Sequence, residues 1–229
     1  MNVLLALVFI LLSVGVYLLM SMLYKRYRLP VLLPALTATF TLVVLLLGLH
    51  ISYETYMIGG EWINRLLGPA VVSLAYPLYK QRHVLWQNLP AVLGGTFTGL
   101  LVGMFSGLLL ALWFGFSKMY VLSVLPKSIT TAVAIQISGN LGGDASLTSV
   151  FVMIAGFTGA IGGPYIIKLF RIRGESGIGI GLGTASHALG TAKALEYGER
   201  AVSMSSVAMT VSAIVGSIVG PVAAWMLYH

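Results

Sequence analysis

The sequence predicts an all-α polytopic membrane protein, with about six full transmembrane helices, two broken or re-entrant segments and a possible internal repeat. Three observations carry this. Only 8% of the residues are charged, against about a quarter in a soluble domain, so the chain lacks the polar surface to cover itself in water. Nearly uncharged runs of about 18 or more residues recur along it, the signature of membrane-spanning helices. Short basic clusters separate those runs, as in cytoplasmic loops of membrane proteins.

The runs are taken in order. Residues 3–23 are apolar, no basic residue precedes them and Lys25, Arg26 and Arg28 follow. No small-residue cleavage site ends the run, so it is expected to stay as a first helix. Further spans are expected at about 30–50, 62–79, 88–116, 145–167 and 201–228, all within one integral membrane domain covering 1–229. The basic clusters Lys25/Arg26/Arg28, Lys80/Arg82 and Lys168/Arg171/Arg173 lie between them. If all three are cytoplasmic, each pair is separated by an even number of crossings. The small residues of "GSIVGPVAAW" (216–225) suit close helix packing, between two copies or within one.

Two stretches do not read as plain spans. "PKSITTAVAIQISGNLGG" (126–143) is short and polar, and counting it as a crossing breaks the parity. It is expected to enter and leave from the outer side, which requires burial in protein or a wet cavity. In "SGIGIGLGTASHALGTAKAL" (176–195), Gly177, Gly179, Gly181 and Gly183 alternate. Each costs a helix about 1 kcal/mol relative to alanine. Close helix packing and an unwound, cavity-lining segment both fit this pattern. A third stretch, "LLGPAVVSLAYPLY" (66–79), is interrupted or bounded by Pro69 and Pro77, which places both among candidate gating residues. Its core faintly resembles 126–139, and transporters often carry interrupted segments at matching points of two repeats.

Candidate chemistry concentrates in the two broken stretches. On a helix, Thr184, His187 and Thr191 share one face, with Ser186 nearby, and offer donors and acceptors without a permanent charge. Intramembrane polar residues are functional by default, although helix back-bonding and a helix–helix link are the structural alternative. Around Pro126, Lys127 with Thr130 and Thr131 would place an ammonium at a helix N-terminus, suited to the carboxylate of a small acid. Gln136 extends that polar set. Asp144 and Lys193 are candidates for coupling or gating, Asp144 also for a helix cap. One histidine without neighbouring carboxylates is a poor metal site, and no metal or cofactor is expected. There is no cysteine. No H-E-x-x-H occurs, and Gly174-Glu175-Ser176-Gly177-Ile178 fails the G-x-S-x-G pattern, so no enzyme is expected. The net charge of +7 fits cytoplasmic loops or an anion pathway; its scatter argues against nucleic-acid binding.

"YMIGGEWINRLLGPAVVSLAYPLYKQR", "LPKSITTAVAIQISGNLGG" and "GTASHALGTAKALE" resemble the signatures of the LrgB/CidB family of bacterial membrane proteins, from about residue 30 to the C-terminus. "YETYMIGG" and "SHALGTAKALE" resemble the CidB branch. Ala132 stands where many relatives carry proline. The resemblance implies a multi-pass protein of the bacterial cytoplasmic membrane. It also implies two roles. One is holin/antiholin-like control of murein hydrolase activity and lysis, with a small LrgA/CidA-type membrane partner. The other is transport of a small monocarboxylate of the pyruvate, lactate or glycolate class. Apart from lipid, a homo-oligomer, dimeric or larger, is the remaining partner expected.

Overall fold

The computed structural model describes residues 2–27, 29, 32–73 and 75–228. No strand occurs among them, and the fold is that of an all-α polytopic membrane protein. Contacts group the chain into two compact units, residues 1–70 and 71–229. Arg28, of the first basic cluster, lies outside the described residues.

In the first unit, α1 (Asn2–Tyr27) is apolar and long enough to cross a bilayer core of about 30 Å. The next helix, α2 (Pro34–Gly48), has proline in its first turn and ends where His50 turns left-handed at φ 54°. There the Ile51 N–H reaches the Leu46 carbonyl at 2.9 Å, a glycine-type cap built on histidine. These two stops make α2 shorter than the expected span 30–50. Ser52 caps α3 (Tyr53–Asn64), its hydroxyl accepting from the Thr55 N–H at 3.2 Å. Gly59 lets α3 close on α1, since an added Cβ would lie 2.7 Å from the Ala6 carbonyl. The Tyr56 ring meets Phe9 edge-on with centroids 5.7 Å apart.

The expected span 62–79 is not one helix. The chain instead runs through α4 (Leu67–Ser73), α5 (Ala75–Lys80) and α6 (Arg82–Gln87). Pro69 explains the stop at residues 65–66, because it has no N–H for the Arg65 carbonyl and its ring crowds that position. Pro69 itself is exposed in the first turn of α4. Pro77 falls within α5, and its side-chain surroundings lie outside the described residues.

In the second unit, α7 (Leu89–Trp113), α10 (Ala145–Leu169) and α12 (Glu199–Tyr228) are each long and apolar enough to cross a membrane. Between α7 and α10 the chain forms α8 (Lys118–Val124), an irregular stretch at 125–130, and α9 (Thr131–Leu141). The break thus falls around Pro126, and α9 runs on through Gly139 to a left-handed stop at Gly142. Between α10 and α12 lies α11 (Glu175–Ala194), helical through all four alternating glycines and broken only at His187, with φ 45° and ψ −122°. Its glycines stay helical because tertiary packing uses them: Gly179 and Gly183 lie directly against the backbone of Ala201 and Ser205 on α12.

The mostly buried α12 organises the core of this unit. Val92, Ile180, Met204 and Val207 pack as one cluster, and Leu100, Met104, Leu125, Ile129 and Val133 as another. The small residues of 216–225 are used within the protomer: Gly216 receives the Ile129 side chain, and Gly220 faces Ile137. Close packing of this kind, rather than release of apolar surface from water, holds helices together in lipid.

Candidate functional site

The two interruptions meet. The irregular stretch 125–130 is buried, with Leu125 and Ile129 fully enclosed, and the break in α11 comes up against it. The His187 Nε2–H donates to the Lys127 carbonyl at 3.2 Å. A carbonyl only accepts, so the proton belongs on Nε2 and the neutral ring keeps Nδ1 as an acceptor. Beyond His187 the chain turns back, bringing Gly190 against the Leu182 carbonyl. The turn is tied to α12 by Thr191, whose hydroxyl donates to the His187 carbonyl at 2.9 Å and lies 2.9 Å from the Ser205 hydroxyl.

The break changes where the polar residues of α11 point. Thr184, His187 and Thr191 do not form one helical stripe, because the backbone reverses between the second and third. Thr184 packs against Gly99 on α7, and Ser186 sits over Gly159 on α10. Both hydroxyls are buried without a hydrogen-bond partner, which costs about 1–3 kcal/mol each when left so. The Lys127 ammonium donates to the Gly103 carbonyl on α7 at 2.8 Å. Thr130 occupies the N-cap position of α9, yet its side chain makes no cap bond, leaving the first-turn N–H groups of the helix without a side-chain acceptor.

Other candidates lie apart from this junction. Gln136 is exposed and lines a cavity of about 360 Å³ between α5, α9 and α12, together with Thr210 and Ser217. Asp144 caps α10, accepting from the Leu147 N–H at 2.8 Å, while its own N–H donates to the Ser123 hydroxyl. Lys193 is buried and paired with Glu196 at 2.7 Å. Lys127 therefore differs from Lys193: among the described residues no carboxylate pairs with it.

Several contributors go unnoticed when only polar residues are sought. Gly95, Gly99, Gly103 and Gly107 repeat every fourth residue on α7 and receive Ile180, Thr184, Ser128 and Lys127 in turn. That period is legible in the sequence; the identity of what it receives is not. Ser128 and Ser205 are likewise buried at the junction. Among the described residues no group of three or more His, Asp or Glu could hold a metal. A cation, an imidazole and unpartnered hydroxyls can each bind an oxygen-bearing solute; Lys127 lines one cavity beside α7 and Ser186 another against α10.

Comparison with known proteins places the chain. A family model described as "LrgB-like family" matches residues 13–226. An "Uncharacterized protein YxaC" of Bacillus subtilis (strain 168) is 58% identical, covering 98% of this chain and 97% of its own length. The "Holin-like protein CidB" of Staphylococcus aureus (strain Mu50 / ATCC 700699) is 39% identical, over 97% of each chain. That of Staphylococcus epidermidis (strain ATCC 12228 / FDA PCI 1200) is 35% identical over the same share. No solved structure matches. With a family match spanning both compact units and relatives of full length, this multi-pass membrane protein belongs to the LrgB-like family.

Proposed function

We propose that the chain carries small monocarboxylates of the pyruvate, lactate or glycolate class across the bacterial cytoplasmic membrane, without chemical conversion and without cofactor. One observation supports this above others: the Lys127 carbonyl receives His187 where two buried backbone interruptions meet. Non-helical backbone inside a helical bundle is tolerated where protein buries it or a cavity needs it, and transporters build substrate sites from such segments. The Lys127 ammonium and the N-terminus of α9 supply the carboxylate-binding half. His187 with the Thr184 and Ser186 hydroxyls supplies partners for a keto or hydroxy oxygen. Gln136, Thr130 and Thr131 belong to the approach, and Pro69 and Pro77 to the interrupted stretch that would flex.

A second reading has its own support. The staphylococcal relatives are named holin-like, which favours a role in lysis through murein hydrolase control, acting with a small LrgA/CidA-type membrane protein. The two readings differ in selectivity, because a holin makes large and poorly selective lesions. Proteoliposomes loaded with carboxyfluorescein and given labelled pyruvate, lactate or glycolate separate them. Uptake of acid with retention of dye supports transport. Dye release, with no acid selectivity, supports the holin-like role and ends the transport reading. In either reading we expect a dimer or larger assembly.

A further inference from the structure

Resting on the transport reading and deepening it, we propose that the Lys127 site selects monocarboxylates with a branched or aromatic tail over short hydroxy acids. The argument starts from what surrounds the cation. Lys127 is half-buried, and its ammonium has three donors, of which one reaches the Gly103 carbonyl at 2.8 Å. No carboxylate pairs with it among the described residues. A cation withdrawn from water and left without a counter-charge is costly, so an anionic ligand is the natural complement.

The space beside it gives the rest of the ligand. The Lys127 side chain forms part of the wall of a cavity of about 230 Å³. Gly107 lines the same cavity and has no side chain in the way, since a Cβ there would run into the Lys127 methylenes and lie 3.5 Å from the ammonium nitrogen. The remaining wall is apolar and aromatic, including Leu110, Ala111, Phe114, Phe116 and Tyr120. Its rings form a file, with Phe114 to Phe116 at 6.4 Å and Phe116 to Tyr120 at 6.0 Å between centroids. Leu110, Phe114, Phe116 and Tyr120 are exposed, so the cavity is open on one side, and apart from the Tyr120 hydroxyl these side chains offer a substrate hydroxyl no hydrogen bond. An isobutyl or phenyl group would gain contact instead. Charge and shape together fit 2-oxo acids with bulky apolar tails.

The test uses the full chain in detergent and in proteoliposomes, with 4-methyl-2-oxopentanoate and phenylpyruvate set against pyruvate, lactate and glycolate. Binding is read as a shift in melting temperature, transport as competition with labelled pyruvate. The bulky acids should act at concentrations about tenfold lower or less, as expected from burying two or more further methylene groups. Lys127→Met should remove the shift and Lys127→Arg should keep part of it. Narrowing the cavity with Leu110→Phe, an exposed position, or with Ala111→Leu should weaken the bulky acids several-fold more than pyruvate. Equal competition by all five acids overturns the preference while leaving transport intact. Bulky acids that bind through Lys127 while no labelled acid is taken up uphold the site and overturn the transport reading. No shift with any acid, or a tightly held phospholipid lost in Lys127→Met, overturns the inference itself.

Discussion

The His187 imidazole lies 3.2 Å from the main-chain carbonyl of Lys127, a residue sixty positions earlier in the chain. That single contact closes two helix breaks on one another. Removing it leaves the Lys127 carbonyl without its partner, at a cost of about 1–3 kcal/mol. His187→Ala should therefore lower pyruvate uptake at least about tenfold, since misplaced binding groups cost more rate than stability. The amount of monodisperse protein should stay the same. Normal uptake by this variant would exclude His187 from the pathway.

The backbone at His187 gives a second, independent expectation. A φ of 45° with ψ −122° is sparsely populated for any residue but glycine, and such strain costs about 1–3 kcal/mol. His187→Gly should raise the melting temperature above that of His187→Ala while transporting no better. A lower melting temperature in the glycine variant would show that this conformation is not under strain.

On α7, packing and propensity separate cleanly. At Gly94 an added Cβ meets nothing within 4 Å, so Gly94→Ala should be neutral or stabilising by up to about 1 kcal/mol. At Gly103 the same group collides with Ser128. Gly103→Ala should destabilise by about 1–3 kcal/mol through overpacking. Thermal unfolding in one detergent compares the two directly, and equal effects would contradict the packing described.

The small-residue face of 216–225 is spent inside the protomer on Ile129 and Ile137. Gly216→Val should thus lower thermal stability without altering the oligomeric mass in nanodiscs. A change from larger assembly to monomer, with the melting temperature unmoved, would return that face to an interface between copies.

Topology can be read chemically because the chain has no cysteine. Single cysteines at Arg82 and Arg171 should be labelled only from the cytoplasm, and one at Asn140 only from outside. These outcomes follow from the parity of the basic clusters. Labelling of Arg82 and Arg171 from opposite faces would refute the arrangement.

The sequence by itself determined the class of this protein and the first of the two places where its buried helices fail, at Pro126. Composition sets the solvent, because so few charges cannot face water, and a proline inside an apolar run at Pro126 removes a donor wherever the chain folds. Local chemistry of that kind acts within a turn or two and is readable residue by residue. Only the tertiary structure decided where the second break falls. Gly177 to Gly183 would each weaken an isolated helix, yet α12 packs on Gly179 and Gly183 and keeps the helix intact. The interruption passes instead to His187, which the Lys127 carbonyl, Thr191 and Ser205 hold in a conformation its own propensity disfavours. The assignment of 216–225 to the protomer interior was decided the same way. Small residues fit any close neighbour, and nothing local says whether that neighbour is another helix of the same chain or of a second copy.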